Sequence, residues 1–362
     1  MGMSPFTVIM VAFAMIGALD RIFGNKLGLG KEFERGFNIL GPTVLAMVGM
    51  IGLAPWLADV LQPVFAFLRD TLHLDPSIVP ASLFANDMGG ASLSMAIGSD
   101  GQMGLFNALV VSSMMGCTVS FTIPYALEVV EKRQHRELLM GLLCGVVTIP
   151  VGCFFAGLVQ GLPLGALLKN LLPLILFAIL IGVGLLRCPN LCLKVFGAFG
   201  VLIKVLITIG LALAILKFTL NIELLPGLDT LENGISICVN ACVMLAGTFP
   251  LMAVLSRLLR RPMQALGSKL HISEVSATGL LGSLATSRTT FESMRDMDRK
   301  GVMLNAAFSV SAAFVFGGHL AFTMAIDGSL IEEVIIGKLI AGVLSLAVAN
   351  FMFNRVRGSE ER

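Results

Sequence analysis

Ser82-Leu83-Phe84-Ala85-Asn86-Asp87-Met88-Gly89-Gly90 is a run of small and polar residues inside an apolar chain. A second such run, Gly279-Leu280-Leu281-Gly282-Ser283-Leu284-Ala285-Thr286-Ser287, stands in the other half. Some twenty residues after each comes Asn-Ala and a long apolar stretch: Asn107-Ala108 to Pro124, and Asn305-Ala306 to Thr323. An acidic residue and a glycine-bearing stretch follow both, as Glu137…Gly141…Gly145 and Glu333…Gly337…Gly342. Ala54-Pro55 and Phe249-Pro250 lie upstream. The offset wanders between 195 and 200, so the chain reads as a diverged duplicate of itself. In a membrane protein, broken segments at matching places in two halves point to a transporter whose site lies between them.

The composition demands a membrane. Hydrophobic residues make up 56% and charged residues 13%, where a soluble globular chain carries roughly 25% charge. Mean hydropathy is +0.90. Nine segments are long and apolar enough to span, near 3–23, 37–58, 103–127, 138–160, 165–186, 191–217, 234–256, 301–324 and 331–353. The first is not a cleavable signal peptide, because its basic residues follow the apolar part. Segments 76–98 and 272–295 are less apolar and broken by Gly, Pro, Ser, Thr, Asn and Asp.

The charges test whether those two segments cross. If each dips in and returns, twenty Lys and Arg fall on one side and three (Arg69, Lys169, Lys217) on the other. Lys204 and Lys338 then lie within spans. If each crosses once, the split becomes 13 against 10. The positive-inside rule selects the re-entrant arrangement. The expected fold class is therefore an all-α integral membrane protein of about nine transmembrane helices and two re-entrant helical hairpins. The N-terminus is expected outside and the C-terminus in the cytoplasm. Five crossings separate span 37–58 from its equivalent, so the repeats are expected to be inverted. The expected divisions are 1–36, a first helix and cytoplasmic loop; 37–160, repeat 1; 161–231, linking helices; 232–353, repeat 2; and 354–362, a cytoplasmic tail. Short amphipathic stretches at 59–73 and 256–270 are expected to lie along opposite interfaces.

Several stretches together resemble the ethanolamine permease family of bacterial ethanolamine-utilization operons. They are Asp87-Met88-Gly89-Gly90, Ser113-Met114-Met115-Gly116, Val147-Thr148-Ile149-Pro150-Val151-Gly152-Cys153, Leu225-Pro226-Gly227-Leu228-Asp229, and Ser311-Ala312-Ala313-Phe314 leading to His319. The resemblance covers nearly the whole chain. It implies uptake of ethanolamine across the cytoplasmic membrane, with the lipid bilayer and this small molecule as partners. Nucleic acid is not expected as a partner, and a homo-oligomer is compatible with the sequence.

An ammonium alcohol needs an anion or several carbonyls, plus hydroxyl partners. Asp87 is the one carboxylate in the core of either broken segment, and intramembrane carboxylates are costly and usually functional. The plainer reading is a helix cap, with Asn86 beside it and Gly89 and Gly90 forming a turn. Thr286, Ser287, Thr289 and Thr290 supply hydroxyls in the second broken segment, although Ser and Thr in membranes more often back-bond to carbonyls. Arg288 is expected at the cytoplasmic headgroups. Ser113 and Thr118 are expected as pocket walls or packing residues. His319 relays protons, senses pH, or simply bonds a helix carbonyl. The expected substrate-binding set is Asn86, Asp87, Ser113, Thr118, Thr286, Ser287, Thr289 and His319. Lys204 and Lys338 read as structural or coupling residues.

No metal site or cofactor is expected. Cys188/Cys192 and Cys238/Cys242 are helical i,i+4 pairs that read as apolar packing thiols rather than ligands. One tryptophan and one tyrosine argue against an aromatic cage for a quaternary ammonium. No His-Glu-x-x-His, Gly-x-Ser-x-Gly or Walker loop is present, so an enzyme is not expected. A channel, a carrier of another small amine or ion, and a non-transporting receptor remain the alternatives.

Overall fold

The computed structural model describes residues 5–99 and 101–360, and every regular element among them is helical. The start of the expected first span at Met3 and the tail's Arg362 lie outside the described residues. The chain opens with α1 (Pro5–Ile22), α2 (Leu29–Asn38), α3 (Leu40–Val60) and α4 (Gln62–Asp70). The short α5 (Ile78–Leu83) and α6 (Gly90–Ile97) follow. Then come α7 (Gly101–Val129), α8 (Lys132–Val159), α9 (Leu164–Arg187), α10 (Pro189–Leu220) and α11 (Leu231–Leu270). The chain ends with α12 (Glu274–Ser283), α13 (Ser287–Glu292), α14 (Arg299–Ser311), α15 (Gly318–Ile326) and α16 (Ile331–Glu360).

Eight helical segments among the described residues are long and apolar enough to cross a bilayer, not nine. The stretch expected to span at 301–324 is interrupted between α14 and α15. Phe314 there takes a left-handed φ of 61°. Unwound backbone in an apolar setting needs hydrogen-bond partners. The N–H groups of Phe314 and Phe316 find them in the carbonyls of Ser283 and Leu284, at 3.0 and 2.9 Å. A second difference concerns 256–270, which continues α11 instead of forming a separate interfacial helix. Its Pro250 and Pro262 are accommodated inside that single element.

Burial sorts the helices into centre and rim. In α7, 94% of the most apolar window is buried, against 22% in α10. Helix α7 is thus wrapped by protein, while α10 presents its side chains outward. Much of α7 winds with wide i→i+5 turns, from Asn107 to Gly116 and again from Thr118 to Thr122. Such turns are frequent at functional sites. Helix α8 packs α14 with its first half and α16 with its second, and α11 packs α1, α2, α3 and α15. Without a hydrophobic drive between helices in lipid, close backbone approach carries the packing. At the α3–α10 crossing a Cβ on Gly49 would strike the Ile207 carbonyl, and one on Gly210 would strike Gly49.

The two broken segments are held by matching devices. Asn107 Nδ2 donates to Ser77 Oγ at the start of α5, and Asn305 Nδ2 donates to the Ser276 carbonyl in the first turn of α12, both at 2.8 Å. Asp75 and Asp298 each accept a backbone N–H at these same two starts, from Ser77 at 3.0 Å and Ser273 at 2.8 Å. Gly116 faces the Phe84 carbonyl at the first break, and Gly317 faces the Ala285 carbonyl at the second. A Cβ at either glycine would collide with that oxygen.

Candidate functional site

Both breaks border one cavity of about 340 Å³. Its wall takes Met47 from α3, Asp87 and Met88 from the first break, and Cys117 and Phe121 from α7. Leu245 and Phe249 come from α11, Ala285 and Thr286 from the second break, and Phe314, Gly318, His319 and Phe322 from the interrupted α14–α15 region. The walls are mostly apolar and include four phenylalanines, with a few polar groups converging on the space, which is the composition expected of a small-molecule site.

Asp87 sits where the chain reverses from extended to helical. Asn86 Oδ1 accepts the Asp87 N–H at 3.0 Å, and Gly89, at φ 95°, turns the chain into α6. Only a residue without Cβ fits there, because Met50 fills that position. Helix α6 begins without a side-chain cap, so the Asp87 carboxylate is not spent on that helix. The side chain remains 34% exposed. Its nearest basic group is His319 Nε2, 4.0 Å from Oδ1, which is too far for a hydrogen bond.

His319, on the first turn of α15, is buried against the Phe314 ring at 4.8 Å between centroids. Behind it lies Lys338 of α16, 1% exposed. Lys338 Nζ donates to the Ser113 carbonyl at 2.7 Å and stands 3.3 Å from His319 Nδ1. The series carboxylate, imidazole, ammonium therefore runs inward from the cavity.

Asp87, Thr286 and His319 of the expected set line this cavity together. The other members sit elsewhere. Asn86 is fully buried behind the tip, with Nδ2 3.4 Å from the His319 carbonyl. The Ser113 and Thr118 hydroxyls return to carbonyls of α7, at Val110 and Met114, and Thr118 also reaches Val310. Ser287 is buried, and its Oγ has no hydrogen-bond partner. Thr289 faces a separate groove with Glu274, Thr278 and Ser293. Thr286 caps α13, its hydroxyl accepting the Arg288 N–H at 3.4 Å.

Arg288 departs from expectation. Rather than leaving the site for the headgroups, it borders the cavity and lies over the Phe121 and Tyr125 rings, at 5.3 and 5.9 Å. Arg35 does the same over Phe249, at 4.7 Å. Both arginines are exposed, so they mark the mouth. Planar guanidinium groups stack well on aromatic faces, which draws them to a phenylalanine-lined opening. The sequence signal for this was the phenylalanines themselves. Four of them line the cavity, a larger aromatic share than the single Trp and Tyr suggested.

The chain matches the family model described as ethanolamine utilisation protein, EutH, over residues 4–352. It belongs to that family. A probable ethanolamine permease EutH of Listeria monocytogenes is 41% identical over 348 residues, covering 96% of this chain and 93% of the relative. A probable ethanolamine permease EutH of Escherichia coli is 38% identical, with 94% and 93% covered. An uncharacterized Bacillus subtilis protein, YxeR, is 38% identical over 95% of this chain and 93% of its own length. No solved structure matches the chain. Family membership thus agrees with the resemblance carried by the sequence motifs.

Proposed function

We propose that this protein carries ethanolamine into the cell across the cytoplasmic membrane, at the cavity between the two broken segments. The observation that carries the reading is Asp87. It is a carboxylate at a chain break, partly exposed in a cavity of about 340 Å³ and without a hydrogen-bonding cation of its own. An ammonium leaving water needs such an anion. The relatives named as probable ethanolamine permeases support the choice of substrate.

In this reading Asp87 holds the ammonium, and the hydroxyl points toward Thr286 and His319. The phenylalanine faces exclude water and favour a cation. Asn86, Ser113, Thr118, Ser287 and Thr289 act from behind or beside the cavity. The protein is not an enzyme. The broken segments act as re-entrant hairpins of inverted repeats, an arrangement supported by the matching Asn, Asp and Gly devices at the two breaks. If the interrupted α14–α15 stretch still crosses as a broken ninth span, the charge asymmetry supports an N-terminus outside and a C-terminus in the cytoplasm. Arg35 and Arg288 then mark a cytoplasmic mouth, and the cavity is inward-open. A substrate with four heavy atoms is small for it, so transport needs a closing movement of one repeat against the other.

Proteoliposome counterflow tests the function. Preloading with unlabelled ethanolamine should accelerate uptake of labelled ethanolamine. A channel would show no such stimulation, and a receptor would bind without uptake. Either result would overturn the carrier reading.

A further inference from the structure

We infer that Lys338 is a positioning residue that fixes His319 with its proton on Nε2, so that the site recognises the substrate oxygen as a hydrogen-bond acceptor. The inference rests on the proposed amino-alcohol site and specifies how the alcohol end is read.

The argument begins with Lys338. A lysine ammonium has three donors and no acceptor. One N–H goes to the Ser113 carbonyl at 2.7 Å, and Nζ is also 3.3 Å from His319 Nδ1. Nδ1 can meet that ammonium favourably only as an unprotonated acceptor. The neutral ring then keeps its single proton on Nε2, since one nitrogen's partner decides what the other carries. The far side of the ring gives the same answer. Nε2 faces Asp87 Oδ1 across 4.0 Å, and a carboxylate favours a proton on the nitrogen that faces it. The competing arrangement has Nδ1–H directed at the Ser113 carbonyl, which also lies near the ring. That oxygen already receives the Lys338 proton, and a proton on Nδ1 would stand against the ammonium.

The chemistry at the cavity follows. Asp87 offers only acceptors, which suits an ammonium. His319 offers only a donor at Nε2, which suits an oxygen lone pair. The 4.0 Å separation is too long for these two groups to satisfy each other directly. It suits a ligand whose amine and oxygen are two carbons apart. The hydroxyl proton is not what His319 reads. An ether oxygen should serve as well as an alcohol, and a methylene should not.

Two measurements on the full-length protein in nanodiscs test this. The first is the ¹⁵N spectrum of histidine-labelled protein. The chain has four histidines, and the His319 signals are those lost in His319→Asn. An unprotonated Nδ1 and protonated Nε2 are expected in the wild type. Lys338→Met should give a mixture of tautomers, and Lys338→Gln, which keeps a donor, should hold the wild-type form. A wild-type ring protonated at Nδ1 would overturn the inference. The second is competition against labelled ethanolamine uptake. 2-Methoxyethylamine should compete about 10- to 100-fold better than butylamine, the span expected for leaving a buried donor unpaired. Equal competition would overturn it. Because the spectrum needs no substrate, the two failures can be told apart. An Nε2-protonated ring that becomes a tautomer mixture in Lys338→Met, in a protein that does not take up ethanolamine, would refute the substrate and sustain the positioning role of Lys338. A Lys338→Met ring that keeps the wild-type form would overturn that role.

Discussion

Asp87→Asn removes one negative charge and changes little else. The amide has the carboxylate's shape, and the native carboxylate makes no hydrogen bond to His319, which lies 4.0 Å away. Folding should therefore be unharmed, and relief from holding a partly buried charge should leave the variant at least as stable as wild type. Binding should suffer. At 34% exposure the side chain is neither in bulk water nor in a dry interior, so the interior Coulomb limit does not apply. A hydrogen bond to a charged group contributes about 1.5–3 kcal/mol. At 1.36 kcal/mol per tenfold, that predicts a rise in KM for ethanolamine of about 10- to 150-fold. The assay is initial-rate uptake in proteoliposomes, with the amount of folded protein checked by size-exclusion profile. A KM within about threefold of wild type, less than the smallest charged hydrogen bond supplies, would refute the anion reading. The cation site would then have to be sought among the exposed carbonyls of the two breaks.

Topology is open to cysteine labelling: positions Ser99 and Arg69 should report one side of the membrane, and Lys132 and Arg355 the other. Ser99 and Arg69 on opposite sides would sink the re-entrant arrangement. Gly116→Val should destabilise the protein by about 1–3 kcal/mol, because the new side chain meets the Phe84 carbonyl rather than a movable group. Gly165→Ala, with open space around it, should melt at or above the wild-type temperature. Equal melting of Gly116→Val and wild type would contradict the close approach. At the start of α14, burial works to raise the Asp298 pKa, but the N–H groups of Ser273 and Gly301 and the Ser276 hydroxyl hold it below its ordinary 3.8. A lowered folded-state pKa gives stability that is present above pH 3.8 and lost below it. Hydrogen exchange of the 273–301 amides should therefore stay slow down to that pH and quicken below it, and Asp298→Asn should abolish the acid dependence.

Long apolar runs carry their own evidence, so the spans at 37–58, 138–160, 165–186, 191–217 and 331–353 were legible before any contact was known. Their existence follows from hydropathy, because a crossing needs about 20 apolar residues. Their ends do not: the expected 191–217 runs from Pro189 to Leu220, and 331–353 continues to Glu360. The stretch 301–324 was equally apolar yet is interrupted. What interrupts it is non-local: Phe314 and Phe316 give their N–H groups to Ser283 and Leu284. Composition does not record a backbone hydrogen bond some thirty residues away. The faint local mark was Gly317-Gly318, two residues of poor helix propensity, the first of which also admits the Ala285 carbonyl. In the same way, α11 runs on through Arg257, Arg260 and Arg261, because exposed basic side chains are good helix formers and nothing in that stretch caps the helix.

The site divides along a similar line. Asp87 and Thr286 were visible because a charge or hydroxyl within a broken apolar segment is anomalous where it stands. His319 was visible as a lone titratable group in a span. Lys338 was visible only as an oddity, because its meaning lies in what it touches. It is 19 residues from His319 and 225 from Ser113. Only the packing of α16 against α7 and α15 brings the three together. Burying an unpaired ammonium is expensive, and here two contacts offset that cost: the Ser113 carbonyl and the histidine nitrogen. The ammonium keeps both contacts only while Nδ1 is unprotonated, so the tautomer of His319 is favoured by the same packing that buries Lys338. A residue that the sequence marks only as structural or coupling thereby acts, in the proposed site, on the oxygen end of the substrate, through the ring that stands between them.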